Sequence, residues 1–140
     1  MQVINNTVSS HWSMEKELLS EADEVLIVSP FCFLDFTEFA DVVSSCGVKR
    51  VEFVSTLKEE EVVWKIYALL SFSREMKRIG MVWELNRLHG KVYLFKKGGI
   101  TFAAILSSAN LTRNGGMNLN GMNFGCDKIR LSEDYGRYLL

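Results

Sequence analysis

Proline occurs once in the 140 residues, cysteine three times and histidine twice. A single proline and only ten glycines exclude a collagen-like or low-complexity chain. Cys32, Cys46 and Cys126 show no C-x-x-C spacing, which argues against a disulfide framework and against a zinc site. They read as buried thiols in a reducing compartment, so a cytoplasmic protein is expected. With only His11 and His89, a metal site would have to lean on carboxylates alone, and neither metal nor cofactor is expected. The longest apolar runs, such as Phe102 to Leu106, fall far short of the roughly 20 residues of a membrane span. Met1 to Ser10 has neither the basic start nor the apolar stretch of a secretory leader. No membrane association is expected.

What is there fits one globular domain over residues 1–140, whether that is the whole chain or a piece of a longer one. Apolar residues are 48% and charged residues 24%, too apolar for a disordered tail. A chain of this length buries roughly two-thirds of its unfolded surface, enough for a core without staples. The net charge of −1 hides an asymmetry. Residues 1–70 hold 5 Lys+Arg against 12 Asp+Glu, and residues 71–140 hold 11 against 5. A basic half suggests a surface facing something anionic.

Apolar periodicity alternates along the chain. Ser13 reads as the cap of a helix running to about Ala22, and Val25 to Ser29 as a strand ending at Pro30. Phe36, Phe39, Ala40 and Val43 have helical spacing, closed by Gly47. Val51 to Leu57 is a second strand. Glu59 to Glu61 open a long helix with Val62, Val63, Ile66, Tyr67, Leu70 and Ile79 on its apolar side, closed by Gly80. Met81 to Leu85, Lys91 to Phe95 and Thr101 to Leu106 are further strands, the last two joined by the turn Lys97-Gly98-Gly99. Trp64 and Trp83 read as core. Asn123 to Leu131 suits a sixth strand, and Ser132 to Leu140 the start of a helix. Helical crossovers demand parallel strands and the glycine turn demands an antiparallel pair. The fold class expected is therefore α/β, a mixed sheet flanked by helices on both faces.

Chemistry concentrates at His89-Gly90-Lys91. With a strand starting at His89, alternation puts His89, Lys91, Tyr93 and Phe95 on one face, imidazole and ammonium about 7 Å apart. That pair suits an anion, phosphate above all. Ser107-Ser108-Ala109-Asn110-Leu111-Thr112 follows the next strand, offering hydroxyl and amide donors at a strand end. The hairpin brings this segment back beside His89.

These two segments together resemble the signature of the phospholipase D superfamily, the HKD motif, and the likeness extends over about residues 20 to 130. The resemblance implies the fold given above, in α-β-α layers, and a metal-independent phosphodiesterase. It implies that His89 is the nucleophile on phosphorus, through a phosphohistidine, and the general acid in the alternate role. Lys91 and Asn110 would hold phosphate oxygens, with Ser108 and its neighbour Ser107 assisting. One motif per chain implies a homodimer that brings two histidines into one cleft. Lys91, Lys96, Lys97 and Arg113 would supply phosphate contacts.

Three positions depart from the pattern. Lys96 stands where the family usually has Asp, and Ser107 where Gly is usual. Asn123 falls where a Glu orients the nucleophilic imidazole; Asn can orient but brings no charge, and Asp127 is a second candidate for that place. The reading favoured is a homodimeric nuclease acting on nucleic acid, DNA first. Two others stay open: a catalytically weakened nucleic-acid-binding module, and a hydrolase of phospholipids or another small phosphodiester. The basic half and the lack of an amphipathic membrane face favour nucleic acid.

Overall fold

The computed structural model describes residues 2–4, 11–107 and 126–130, with side chains from 13 to 106. In chain order the elements are β1 (Gln2–Ile4), α1 (His11–Glu21), β2 (Glu24–Val28), α2 (Thr37–Cys46), β3 (Arg50–Ser55), a 3-10 turn (Glu59–Glu61), α3 (Val62–Glu75), β4 (Gly80–Glu84), β5 (Val92–Lys97), β6 (Ile100–Ser107) and β7 (Cys126–Arg130). The seven strands form one sheet in the order β1-β7-β6-β5-β2-β3-β4. β2, β3 and β4 are parallel neighbours, whereas β5 runs antiparallel to β2 and to β6. The mixed α/β sheet is as expected, including the strand anticipated at 123–131, seen over Cys126–Arg130.

Alternation explains the layers. Val25 and Ile27 of β2, Val51 and Phe53 of β3, Tyr93 and Phe95 of β5, and Ala103 and Ile105 of β6 share one buried face. Leu18 and Leu19 of α1, Phe39 and Val43 of α2, and Ala68 and Phe72 of α3 pack on it. Phe36 is its hub, edge-on to Phe72 at 5.1 Å and to Phe33 at 5.5 Å, in the geometry that aromatic quadrupoles favour. The opposite face centres on Leu26, Leu94 and Ala104. The helix anticipated at 132–140 lies outside the described residues.

Several local expectations shift. Ser13 sits inside α1, which starts at His11, rather than capping it. β1 has no local signal, being three residues whose pairing with β7 is long-range. α3 stops at Glu75, before Gly80. Gly80 matters for space: a Cβ there would lie 2.4 Å from Met76 Cβ. The turn after β5 holds Gly98 at φ +58° and Gly99 at φ +79°, the left-handed pair that a tight hairpin needs. α3 is also turned over. Its buried face is Lys65, Ala68, Ser71 and Phe72, while Val63, Ile66, Tyr67 and Leu70 face outward. Trp83, expected in the core, is half exposed on the edge strand β4, with Trp64 only partly buried against the core.

Glu15 is the anomaly of the core. It lies on α1 between Met14 and the Leu18–Leu19 pair, 4% exposed, and burial pushes its carboxyl up to about 8. A folded-state value above the unfolded 4.5 favours the native protein fully below about pH 4.5, and that contribution is lost as pH rises through 8. The thermal stability of the wild type is therefore expected to fall from pH 5 to pH 8 relative to Glu15→Gln. The variant should be the more stable at pH 8, by a margin on the order of a few kcal/mol. Parallel pH profiles for the two proteins would contradict a buried, neutral Glu15.

Candidate active site at one end of the sheet

Strand direction collects the chemistry. β2, β3, β4 and β6 end where β5 begins, so their following loops share one end of the sheet. Val92, the first residue of β5, pairs with Val28 on one side and Leu106 on the other. Lys91 therefore lies one residue beyond this row, next to the backbone of Ser29 and of Ser107. Ser107 in turn pairs with Cys126. The structure thus brings the His89-Gly90-Lys91 segment and the start of Ser107–Thr112 to one place, as the hairpin argument requires.

β5 starts at Val92 rather than His89, so His89, Gly90 and Lys91 form its approach. The segment is tied down. Leu85 N donates to Ser55 O at 2.8 Å, Leu57 N donates to Asn86 Oδ1 at 3.3 Å, and Leu88 N donates to Leu85 O at 3.2 Å. Leu88 is buried, which leaves His89 exposed and Lys91 half-buried just beyond it. A fixed loop carrying an open imidazole beside a sheltered ammonium can receive an anion without a large ordering cost.

Lys96 and Lys97 do not join this site. They close the far end of β5, about 20 Å from His89 at strand rise. There Lys96 O accepts from Asp23 N at 3.0 Å, and Asp23 Oδ2 accepts from Gly98 N at 3.0 Å. Their sequence proximity to His89 is undone because the strand is extended. Ser108, Asn110, Arg113 and Asn123 lie outside the described residues. Asp127 falls in β7, in the backbone row Val28–Val92–Leu106–Asp127. His11 opens α1.

Sequence reasoning missed a buried cation at the same end. Lys65 is fully buried, and its Nζ donates to Pro30 O, to Thr56 Oγ1 at 2.8 Å and to Glu61 Oε2 at 3.2 Å. Thr56 Oγ1 donates to Glu61 at 2.8 Å. Burial pushes the Glu61 carboxyl up, but the bonds from Thr56 and Lys65 and the lysine charge outweigh it, so its pKa is lowered. This network clamps the turn after β2 onto α3. Burial pushes the neighbouring Cys32 thiol up to about 12, so it is no nucleophile. The signal was a single lysine inside the apolar run Val62–Leu70, with an acid four residues before it.

Among the described residues, no three His, Cys, Asp or Glu side chains gather where they could hold a metal ion, and no helix is long and apolar enough to cross a membrane.

The architecture is that of a phospholipase D-like domain. It is similar to Nuc from Salmonella typhimurium, a phospholipase D family member, at TM-score 0.64 and 14% identity, covering 96% of this chain and 85% of that one. It is similar to NucT from Helicobacter pylori at TM-score 0.54 and 17% identity, over 84% and 76%. TrmBL2, an archaeal chromatin protein, matches at TM-score 0.50 and 14% identity, and there the chain spans 92% of itself but only 45% of the other. At these identities the likeness is one of fold. Residues 47–128 match the model of the NgoFVII restriction endonuclease N-terminal PLD domain, and the chain belongs to that family. No curated protein matches the sequence.

Lys65→Ala is expected to cost about 3–5 kcal/mol in urea unfolding, because it strands Glu61 and the Pro30 carbonyl. Replacing Lys65 by Met together with Glu61→Leu should recover much of that loss. A change under about 1 kcal/mol in the single variant would show that the clamp carries no weight.

Proposed function

We infer that this domain is a metal-independent nuclease that cleaves phosphodiesters through His89, with DNA as its first substrate. The supporting observation is the convergence of His89-Gly90-Lys91 and the β6 end in a chain of this restriction-endonuclease family. The chain acts as one such domain, and its active form is a homodimer, since one motif supplies one histidine.

The chemistry follows from the residue types. His89 attacks phosphorus through an imidazole nitrogen, a P–N bond forms, and the P–O bond to the leaving oxygen breaks. The second histidine, His89 of the partner subunit, protonates that oxygen. It then takes a proton from water, whose oxygen attacks phosphorus and releases His89. Two displacements replace one difficult one. Lys91 and Asn110, with Ser107 and Ser108, are the donors assigned to the negative charge that gathers on the equatorial oxygens, favouring the transition state over the ground state. The donors named are cationic, hydroxyl and amide groups, so catalysis needs no bound metal.

Asn123 favours one second reading. It stands where a carboxylate would support the imidazolium, so a chain weakened in turnover would act as a DNA-binding module.

Cleavage of a labelled oligonucleotide is expected to persist in excess EDTA. His89→Ala should lose essentially all turnover while still binding DNA, and Lys91→Ala should lose both rate and affinity. Mixing active chains with excess His89→Ala chains should lower activity below simple dilution. Loss on chelation that magnesium restores would contradict the mechanism. Equal DNA binding by wild type and His89→Ala, with no cleavage by either, would leave the binding module.

A further inference from the structure

Phe31 follows the end of β2 by three residues, and His89 precedes β5 by three. Because Val28 pairs with Val92, both leave the sheet at the same end. Phe31 is 42% exposed although the residues after it, Cys32 and Phe33, are buried. It stacks on Trp64 with centroids 6.3 Å apart and planes within 10°. Lys65 Nζ lies 5.8 Å from the Phe31 ring and 5.4 Å from that of Trp64.

An exposed phenylalanine alone is ordinary. This one is held. Ser29 Oγ donates to Phe31 O at 2.6 Å, and Pro30 O accepts from the buried Lys65. The backbone is fixed on both sides of the ring, and a second ring backs it. Desolvating an ammonium to fix a loop whose product is an exposed aromatic ring is unexplained by packing alone. Exposed Glu59 and Glu60 precede α3 on the same side, so a phosphate backbone would avoid this flank. The neutral face of a base would not.

We propose that Phe31 is a stacking platform for an unpaired nucleobase next to the phosphodiester held at His89 and Lys91. The proposal rests on the nucleic-acid reading above and adds that this end of the sheet takes single-stranded or locally opened DNA. Stacking on an aromatic ring is sequence-tolerant, so the platform contributes affinity and placement rather than sequence choice.

The test is fluorescence anisotropy with a labelled single-stranded oligonucleotide and its matched abasic counterpart, all proteins carrying His89→Ala to prevent cleavage. Phe31→Ala is expected to weaken binding of the intact strand about 10- to 100-fold and to leave the abasic strand unchanged. Phe31→Trp should retain the affinity. Phe31→Leu keeps apolar contact with Trp64 but has no π face, and should lose as much as alanine even where alanine disturbs the loop. Affinities for the intact strand that match the parent in both Phe31→Ala and Phe31→Leu overturn the platform. So do equal losses on intact and abasic strands. A parent that binds neither strand overturns the nucleic-acid reading and the platform with it.

Discussion

The antiparallel pairing of β2 with β5 decides where everything else lies. It joins the acidic first half of the chain to the basic second half at the centre of the sheet, from Glu24 opposite Lys96 to Val28 opposite Val92. Because β3 and β4 run with β2, and β6 runs against β5 and β7, one end of the sheet receives the ends of β1, β2, β3, β4 and β6 and the starts of β5 and β7. A shift of one residue in this register would turn Tyr93 and Phe95 out of the helical core and move Lys91 away from the end of β6. The site is thus a consequence of sheet topology, with no dedicated element of its own.

Around that end the protein uses two kinds of anchor. The 85–91 loop is held by a backbone bond from Leu85 N to Ser55 O of β3, by the Asn86 side chain accepting from Leu57 N, and by the buried side chain of Leu88, which leaves His89 open to solvent. The turn after β2 is held by a charge, the Lys65 ammonium, with Pro30, Thr56 and Glu61 as its partners. A buried ion pair is weak support for stability, because desolvation offsets attraction. It does fix the turn, since the Pro30 carbonyl accepts from a cation that Thr56 and Glu61 hold in place. That rigidity bears on the rate of any reaction placed there.

The sequence was legible where the signal is local. β-branched runs marked the strands, and Gly98-Gly99 marked a hairpin whose turn needs positive φ. The HKD-type spacing placed His89 and Lys91 at a strand start and Ser107 at a neighbouring strand end. Legibility failed where three-dimensional context decides. The apolar stripe Val63–Ile66–Tyr67–Leu70 has helical spacing, yet α3 buries the face carrying Lys65, because Ala68 and Phe72 fit against Phe36 and Phe53. Lys96 and Lys97 looked close to His89 in the chain, but an extended strand carries them to the opposite end. β1 is three residues long, and only its partner β7 makes it a strand. Trp83 followed the strand pattern but lies on an edge, where alternation no longer implies burial.

In the proposed mechanism His89 forms a bond to phosphorus. Intact-mass spectrometry tests it directly, with the chain in molar excess over a short oligonucleotide and the reaction quenched in alkaline denaturant, where a phosphohistidine survives. The wild-type chain should be heavier by the retained nucleotide fragment, the adduct mapping to His89 and vanishing on acid treatment and in His89→Ala. An unmodified chain, whether the oligonucleotide is cleaved by another route or left intact, would contradict it.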